Sequence, residues 1–220
     1  MGGGLQNYFQ WNLTNDQGTN PQSGYSSKIF TDLAMEWVGA QEQPWFLWLA
    51  YNAPHTPFHS PPSIMHNQGE LANYSDGMDP MPYYLAAIEA MDFQIGRLLN
   101  GLTQEERDNT IILFMGDNGT PNEVGQSPYA GNAVKGSLYQ GGINVPLFVS
   151  GKGVQRTGND YNLLTSTDLF STIAQLAGGS STEIHDSKSF KELLTINDGQ
   201  RAFQYSEMES PNASKWAISN

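Results

Sequence analysis

Asp117-Asn118-Gly119 follows directly on the apolar run Ile111-Ile112-Leu113-Phe114-Met115-Gly116, so a carboxylate and an amide carbonyl emerge together where a buried strand ends. Open α/β sheets place their ligands at such strand ends. Hard oxygens of this kind suit Ca²⁺ or Mg²⁺ rather than a soft metal, and the chain has no cysteine with which to build a thiolate site. The other reading of the tripeptide is an Asx turn closed by glycine. His55 follows a second apolar run and stands between Pro54 and Pro57, which stiffen the backbone around an imidazole able to donate to an anion or protonate a leaving group. A loop histidine satisfied by a carbonyl is its alternative. Lys135 precedes Gly136-Ser137 and the Gly141-Gly142 pair, a setting in which backbone approaches a ligand closely while an ammonium supplies charge. A solvated surface lysine would look the same. His59, His66 and His185 have no comparable surroundings, and Ser60-Pro61-Pro62-Ser63-Ile64 lacks the arginine that an anion-orienting nucleophile box of that shape requires.

The elements that must hold these residues alternate between helix and strand. Residues 1–27 are rich in Gly, Asn, Gln and Ser and read as a long surface loop. Phe30, Leu33, Ala34, Trp37 and Val38 share one helical face ahead of a break at Gln43-Pro44, and the continuous apolar stretch 45–51 predicts a strand buried on both faces. Residues 58–81 form an irregular excursion. Leu85, Ile88, Met91, Ile95, Leu98 and Leu102 recur at steps of three and four, which predicts a helix of about five turns delivering the chain to the Ile111 strand. Strand, helix, strand in this span predicts a right-handed crossover on a parallel sheet. A third strand is expected over 145–150. Thr165 with Asp168 resembles a capping box for a helix through Leu169, Ile173 and Leu176 that stops at Gly178-Gly179, and Lys215-Trp216-Ala217-Ile218 reads like a strand being entered. Both ends read as cut from a longer protein.

Charge narrows the partners. Ten basic against twenty-two acidic residues leave a net charge of −12, which repels nucleic acid and anionic membranes, so any anionic ligand must be captured by local positive charge. The apolar runs are too short to span a bilayer, and the first residues carry neither a basic region nor an apolar signal core. Asn12, Asn73, Asn118 and Asn212 each open an Asn-x-Ser/Thr sequon.

Three motifs in order carry a family resemblance: residues 44–57 ending Asn52-Ala53-Pro54-His55-Thr56-Pro57, then Asp108-Asn109-Thr110 leading to Gly116-Asp117-Asn118-Gly119, then Lys135-Gly136-Ser137-Leu138-Tyr139-Gln140-Gly141-Gly142 followed by Val145-Pro146. Together they resemble the sulfatase family of the alkaline-phosphatase-like superfamily. The resemblance implies an α/β fold with a mostly parallel sheet flanked by helices, present as a partial domain: residues 1–179 would be the catalytic part and 180–220 the truncated start of a smaller C-terminal subdomain. It implies that Asp117 and Asn118 are two ligands of a Ca²⁺ ion, that Lys135 holds the sulfate group, and that His55 contacts sulfate or protonates the leaving oxygen. The family's nucleophile is a formylglycine made from a Cys/Ser-x-Pro-x-Arg box, completed by an upstream Asp pair. Neither lies in this chain, so the N-terminal half of the catalytic domain is expected to lie outside it. The implied activity is sulfuric ester hydrolysis of an aryl or carbohydrate sulfate, with a periplasmic or secreted location in keeping with the family. Alternatives are a phosphoester or phosphonate hydrolase of the same superfamily, or a non-catalytic remnant that oligomerises through a bare sheet edge. Tyr83, Tyr84 and Tyr129 stand near the expected pocket, where tyrosines stack on rings or simply pack.

Overall fold

A computed structural model describes residues 6–129, 131, 133–180, 185–199, 201–210 and 213–219. The chain divides into two compact units, Met1–Gln104 and Glu105–Asn220.

The first unit opens with a hairpin of β1 (Gln10–Asn15) and β2 (Gly18–Ser23), paired antiparallel from Gln10 opposite Ser23 to Asn15 opposite Gly18. This corrects the expectation of a surface loop over residues 6–27; residues 1–5 of that span lie outside the described residues. The hairpin escapes a hydrophobic pattern because, of its half-buried residues Trp11, Leu13 and Gln22, only two are apolar while the rest of the ribbon is exposed and mostly polar. Its register comes from the tight turn, where Gly18 takes φ +111. Helix α1 (Ser26–Gly39) follows, then the irregular excursion with one short 3₁₀ turn at Ser63–Met65, and then α2 (Met81–Gly101), with a proline in its first turn.

The helices bury faces that differ from their most apolar ones. α2 buries Tyr83, Ala86, Ala87, Ala90 and Gln94, while the predicted stripe is half-buried from Leu85 to Leu98 and fully buried only at Leu102, just past the helix end. Alanine contributes little hydrophobic signal yet lets a neighbour approach closely, so the contact face is the small one. α1 packs on α2 and likewise buries Ser27, Thr31, Ala34 and Val38, leaving Leu33 and Trp37 exposed. Arg97 of α2 reaches Asp32 of α1 at 2.9 Å and Gln94 at 2.6 Å, tying the two helices at the rim of their contact. A small core of Tyr8, Tyr25, Ala53, Met65 and Ala90 lies beside them.

Residues 45–51 make no ladder among the described residues. Their side chains alternate: Trp45, Leu47, Leu49 and Tyr51 are half-buried, and the Tyr51 hydroxyl lies 2.7 Å from Thr31 Oγ1 on α1. Phe46 is 59% exposed and Trp48 79%. Burial on both faces is therefore corrected to burial on one, because α1 covers only the side facing Phe30, Leu33 and Ala34.

The second unit is built on β3 (Ile111–Met115) and β4 (Leu147–Gly151), antiparallel with Ile111 opposite Gly151 and Met115 opposite Leu147. β3 is half-buried along its length rather than fully enclosed. Helix α3 (Gln104–Asp108) leads into β3, and the one-turn α4 (Gln140–Ile143) precedes β4. α5 (Asp168–Leu176) ends at Gly178 with φ +83, as its sequence predicts. β5 (Gln204–Ser210) and β6 (Ala213–Ser219) close a hairpin that contains the expected strand at 215–218. The class is α/β. The described ladders are antiparallel, a pairing that mixed α/β sheets commonly carry alongside parallel strands. The predicted crossover from 45–51 to β3 runs across the division between the two units.

Candidate active site

In the first unit the motif 52–57 forms a tight turn. The His55 amide donates to Asn52 O at 2.9 Å, and both the Ala53–Pro54 and Thr56–Pro57 bonds are cis. The buried Tyr8 hydroxyl lies under this turn, 2.8 Å from Asn52 O and 2.7 Å from His55 O. His55 itself is exposed, and its Nδ1 meets the Thr56 carbonyl at 2.8 Å. A carbonyl only accepts, so Nδ1 carries the proton and the ring's second nitrogen, Nε2, is left facing outward with no protein partner among the described residues. The imidazole is thus oriented by its own backbone with its reactive nitrogen free.

His59 has the opposite environment. Its ring stacks on Tyr8 with centroids 3.8 Å apart, Nδ1 donates to Pro57 O at 3.0 Å, and Nε2 lies 3.3 Å from the Tyr25 hydroxyl. Burial holds its pKa below the usual histidine value, and burial pushes the Tyr25 hydroxyl up to about 12. His59 is therefore a neutral packing residue. Tyr83, an open candidate for ring stacking, is buried and packs edge-on against Tyr74 at 5.1 Å, so it too belongs to the scaffold.

In the second unit the structure brings Asp117, Asn118 and the Lys135 loop together through backbone. Gly116 N donates to Pro146 O at 3.0 Å, Gly119 N to Gly142 O at 3.2 Å, and Lys135 N to Thr120 O at 2.9 Å. The approach needs glycine. A Cβ on Gly119 would run into the Gly141 carbonyl and stand 2.7 Å from Gly142 Cα, and one on Gly142 would run into Ser137 O. Gly136 turns the chain after Lys135 with φ +79. The Gly141-Gly142 pair lets two loops close on each other.

Asp117 and Asn118 are exposed on this platform. The Asn118 Nδ2 donates to Gly119 O at 3.2 Å, which turns its carbonyl oxygen away from that contact. No described residue hydrogen-bonds the Asp117 carboxylate. Lys135 is exposed and pairs with no carboxylate among the described residues. Two hard-oxygen side chains are thus exposed side by side here, of a kind that could serve Ca²⁺, which takes six to eight oxygens. Among the described residues no group of three or more His, Asp or Glu side chains gathers to hold a metal, so these two would form part of a larger ligand set. The formylglycine box finds no counterpart: the chain has no cysteine, and the Ser60–Ile64 segment forms part of the irregular excursion around the Ser63–Met65 turn. His55 belongs to the first unit and the other three candidates to the second.

Two features escaped sequence reasoning. Tyr8 lies in a stretch without pattern, and Asp168, expected to form a capping box with Thr165, accepts from Thr165 N while α5 starts after Thr167 with no side-chain cap, and its carboxylate binds Arg201. Nothing local to either position signals the distant partner.

Comparison with known proteins bears on all of this. The family model described as Sulfatase matches residues 2–180. An uncharacterized sulfatase, YdeN, of Escherichia coli (strain K12) is 33% identical over 163 residues, covering 71% of this chain and 28% of that protein. An arylsulfatase of Klebsiella aerogenes is 27% identical over 241 residues, covering 72% of this chain and 52% of its own length. The crystal structure of Ps i-CgsB superposes with a TM-score of 0.77 at 25% identity, over 91% of this chain and 47% of that one. BT4656, solved in complex with its substrate D-glucosamine-2-N,6-O-disulfate, shares the fold with a TM-score of 0.75 at 17% identity, over 96% of this chain and 62% of that one. The chain spans about half the length, or less, of the curated relatives it matches. With the fold alkaline-phosphatase-like and the family model covering most of its length, the chain belongs to the sulfatase family.

Proposed function

We propose that this chain contributes His55, Lys135, Asp117 and Asn118 to a sulfuric ester hydrolase acting on a sulfate ester, with a carbohydrate or aryl group as the alcohol. The observation that carries the reading is the second unit's platform: a strand-end carboxylate and amide, both exposed, locked by backbone to a loop whose exposed lysine pairs with no carboxylate among the described residues. In so acidic a chain an ammonium with no carboxylate partner among the described residues is placed to meet an anion. Asp117 and Asn118 would hold Ca²⁺, which when bound would polarise the sulfate oxygens. Lys135 neutralises negative charge on the sulfate through its ammonium as the ester bond lengthens. His55, as an imidazolium with a proton on each ring nitrogen, donates the Nε2 proton to a sulfate oxygen or to the departing alkoxide and is left as the neutral imidazole whose Nδ1–H stays fixed on Thr56 O. No nucleophilic step is assigned to these residues, because the chain carries no formylglycine box.

Within this reading, residues 1–179 form the catalytic part and 180–220 begin a smaller C-terminal subdomain. A periplasmic or secreted location suits the family, and among the described residues no helix is long and apolar enough to cross a membrane. Self-association through residues 45–51, which expose Phe46 and Trp48 and lack a ladder partner among the described residues, is also part of the proposal.

The test is hydrolysis of a chromogenic aryl sulfate, beside the matching phosphate, by the protein in its full-length form with added Ca²⁺. Lys135→Ala and His55→Ala are each expected to lower sulfate turnover by about 10² or more. Near-normal rates in either variant would remove that residue's role, and a preference for phosphate would move the protein to another branch of the superfamily.

A further inference from the structure

We infer that Tyr8 is a positioning residue for His55, holding the histidine's backbone through a single buried hydroxyl; this rests on the reading of His55 as a proton donor to a sulfate ester. The hydroxyl lies 2.8 Å from Asn52 O and 2.7 Å from His55 O, the first and last carbonyls of the turn that carries the imidazole. Both are acceptors, so the phenol shares its one proton between them and must stay protonated to do so. Burial ensures this: Tyr8 is 1% exposed, and desolvation raises its pKa well above the ordinary tyrosine value.

The same side chain governs the far end of the segment. Its ring lies flat against His59, with an interplanar angle of 19°, and His59 in turn donates Nδ1–H to Pro57 O. Residues 52–59 are thus referenced at both ends to one aromatic side chain. Tyr8 is itself fixed from outside the segment, since its carbonyl accepts from Ser26 N at 2.8 Å at the start of α1. The imidazole orients itself on Thr56 O, but the carbonyls that set the height and tilt of the turn are held from 44 and 47 residues away in sequence. Removal of the hydroxyl leaves His55 O with no described partner, whereas Asn52 O keeps the His55 amide. The turn would then survive while its seat is lost.

Histidine-selective ¹H–¹³C NMR of the full 220-residue chain tests this with Tyr8→Phe, which keeps the ring and its stack on His59. Tyr25→Phe is the control, because its hydroxyl faces His59 Nε2 and not the turn. The expected result is loss of the single sharp His55 Hε1 line in Tyr8→Phe, through a shift or broadening, with His66 unmoved; Tyr25→Phe should move His59 and spare His55. An unchanged His55 line in folded Tyr8→Phe overturns the inference. Should that variant not fold, the unsubstituted chain decides: a slowly exchanging Tyr8 hydroxyl proton with a nuclear Overhauser contact to the His55 backbone supports the inference, and its absence overturns it. Titrating inorganic sulfate into the unsubstituted chain reads the parent proposal separately. A His55 line indifferent to sulfate but lost in Tyr8→Phe would leave the positioning role standing and remove the sulfate role.

Discussion

Replacing Arg201 with methionine should destabilise the second unit more than any surface charge substitution. The Asp168 carboxylate is 1% exposed and receives four donors: Thr165 N at 2.9 Å, Lys188 N at 2.8 Å, Arg201 Nε at 3.0 Å and a second Arg201 nitrogen. The Arg201 side chain is 12% exposed, so water replaces little of what its guanidinium provides. Removing one partner of a buried ion pair costs about 3–5 kcal/mol, because the remaining charge is left uncompensated. Two lost hydrogen bonds to a charged group, at roughly 1.5–3 kcal/mol each, give a similar figure. Against a total of about 5–15 kcal/mol for an ordinary domain this is a large fraction. Lys28→Met is the comparison, since Lys28 and Asp32 pair at 2.5 Å with side chains 49% and 39% exposed, and such a pair contributes about 0–1 kcal/mol. Urea unfolding followed by circular dichroism, with hydrogen exchange at the Lys188 amide, measures both. A loss below about 1 kcal/mol in Arg201→Met, or one equal to that of Lys28→Met, would refute the view that this pair fastens α5 to the segments around Lys188 and Arg201.

Glycine substitutions should separate by what surrounds them. Gly119→Ala meets only backbone, so unfolding free energy should fall by about 1–3 kcal/mol, whereas Gly96→Ala, with open space around it on α2, should gain roughly 0.5–1 kcal/mol; equal midpoints in urea would contradict the close approach of the two loops. His59 gives a pH dependence whose sign follows from its depressed pKa. The unfolded chain takes up a proton near pH 6.5 while the buried ring does not, so stability is intact above that value and declines as pH falls toward the lower folded pKa. Urea midpoints between pH 7.5 and 5.5 should show a fall that disappears in His59→Leu, and an unaltered slope in that variant would rule the residue out. Size-exclusion chromatography at rising concentration should show association weakened by Trp48→Lys, given the 79% exposure of that side chain; an elution volume independent of both concentration and substitution would remove the bare edge as an interface.

What the sequence by itself determined is what rests on neighbours along the chain. The strand end at Asp117-Asn118, the α2 span, the stop of α5 at Gly178 and the prolines around His55 all follow from local pattern, turn chemistry and backbone restriction. The family motifs are legible for the same reason, since each is a short contiguous string. Tertiary structure decided what depends on partners far apart. The deep face of α2 is its alanine face because Ala90 packs into the core with Tyr8, Tyr25, Ala53 and Met65, and one face of residues 45–51 is exposed because nothing in the first unit covers Phe46 and Trp48. Tyr8 reaches His55 across 47 residues and Arg201 reaches Asp168 across 33, and no spacing rule operates over such separations. Only the folded chain brings Gly119 against Gly142, so the seat of the candidate site is a property of contact rather than of pattern.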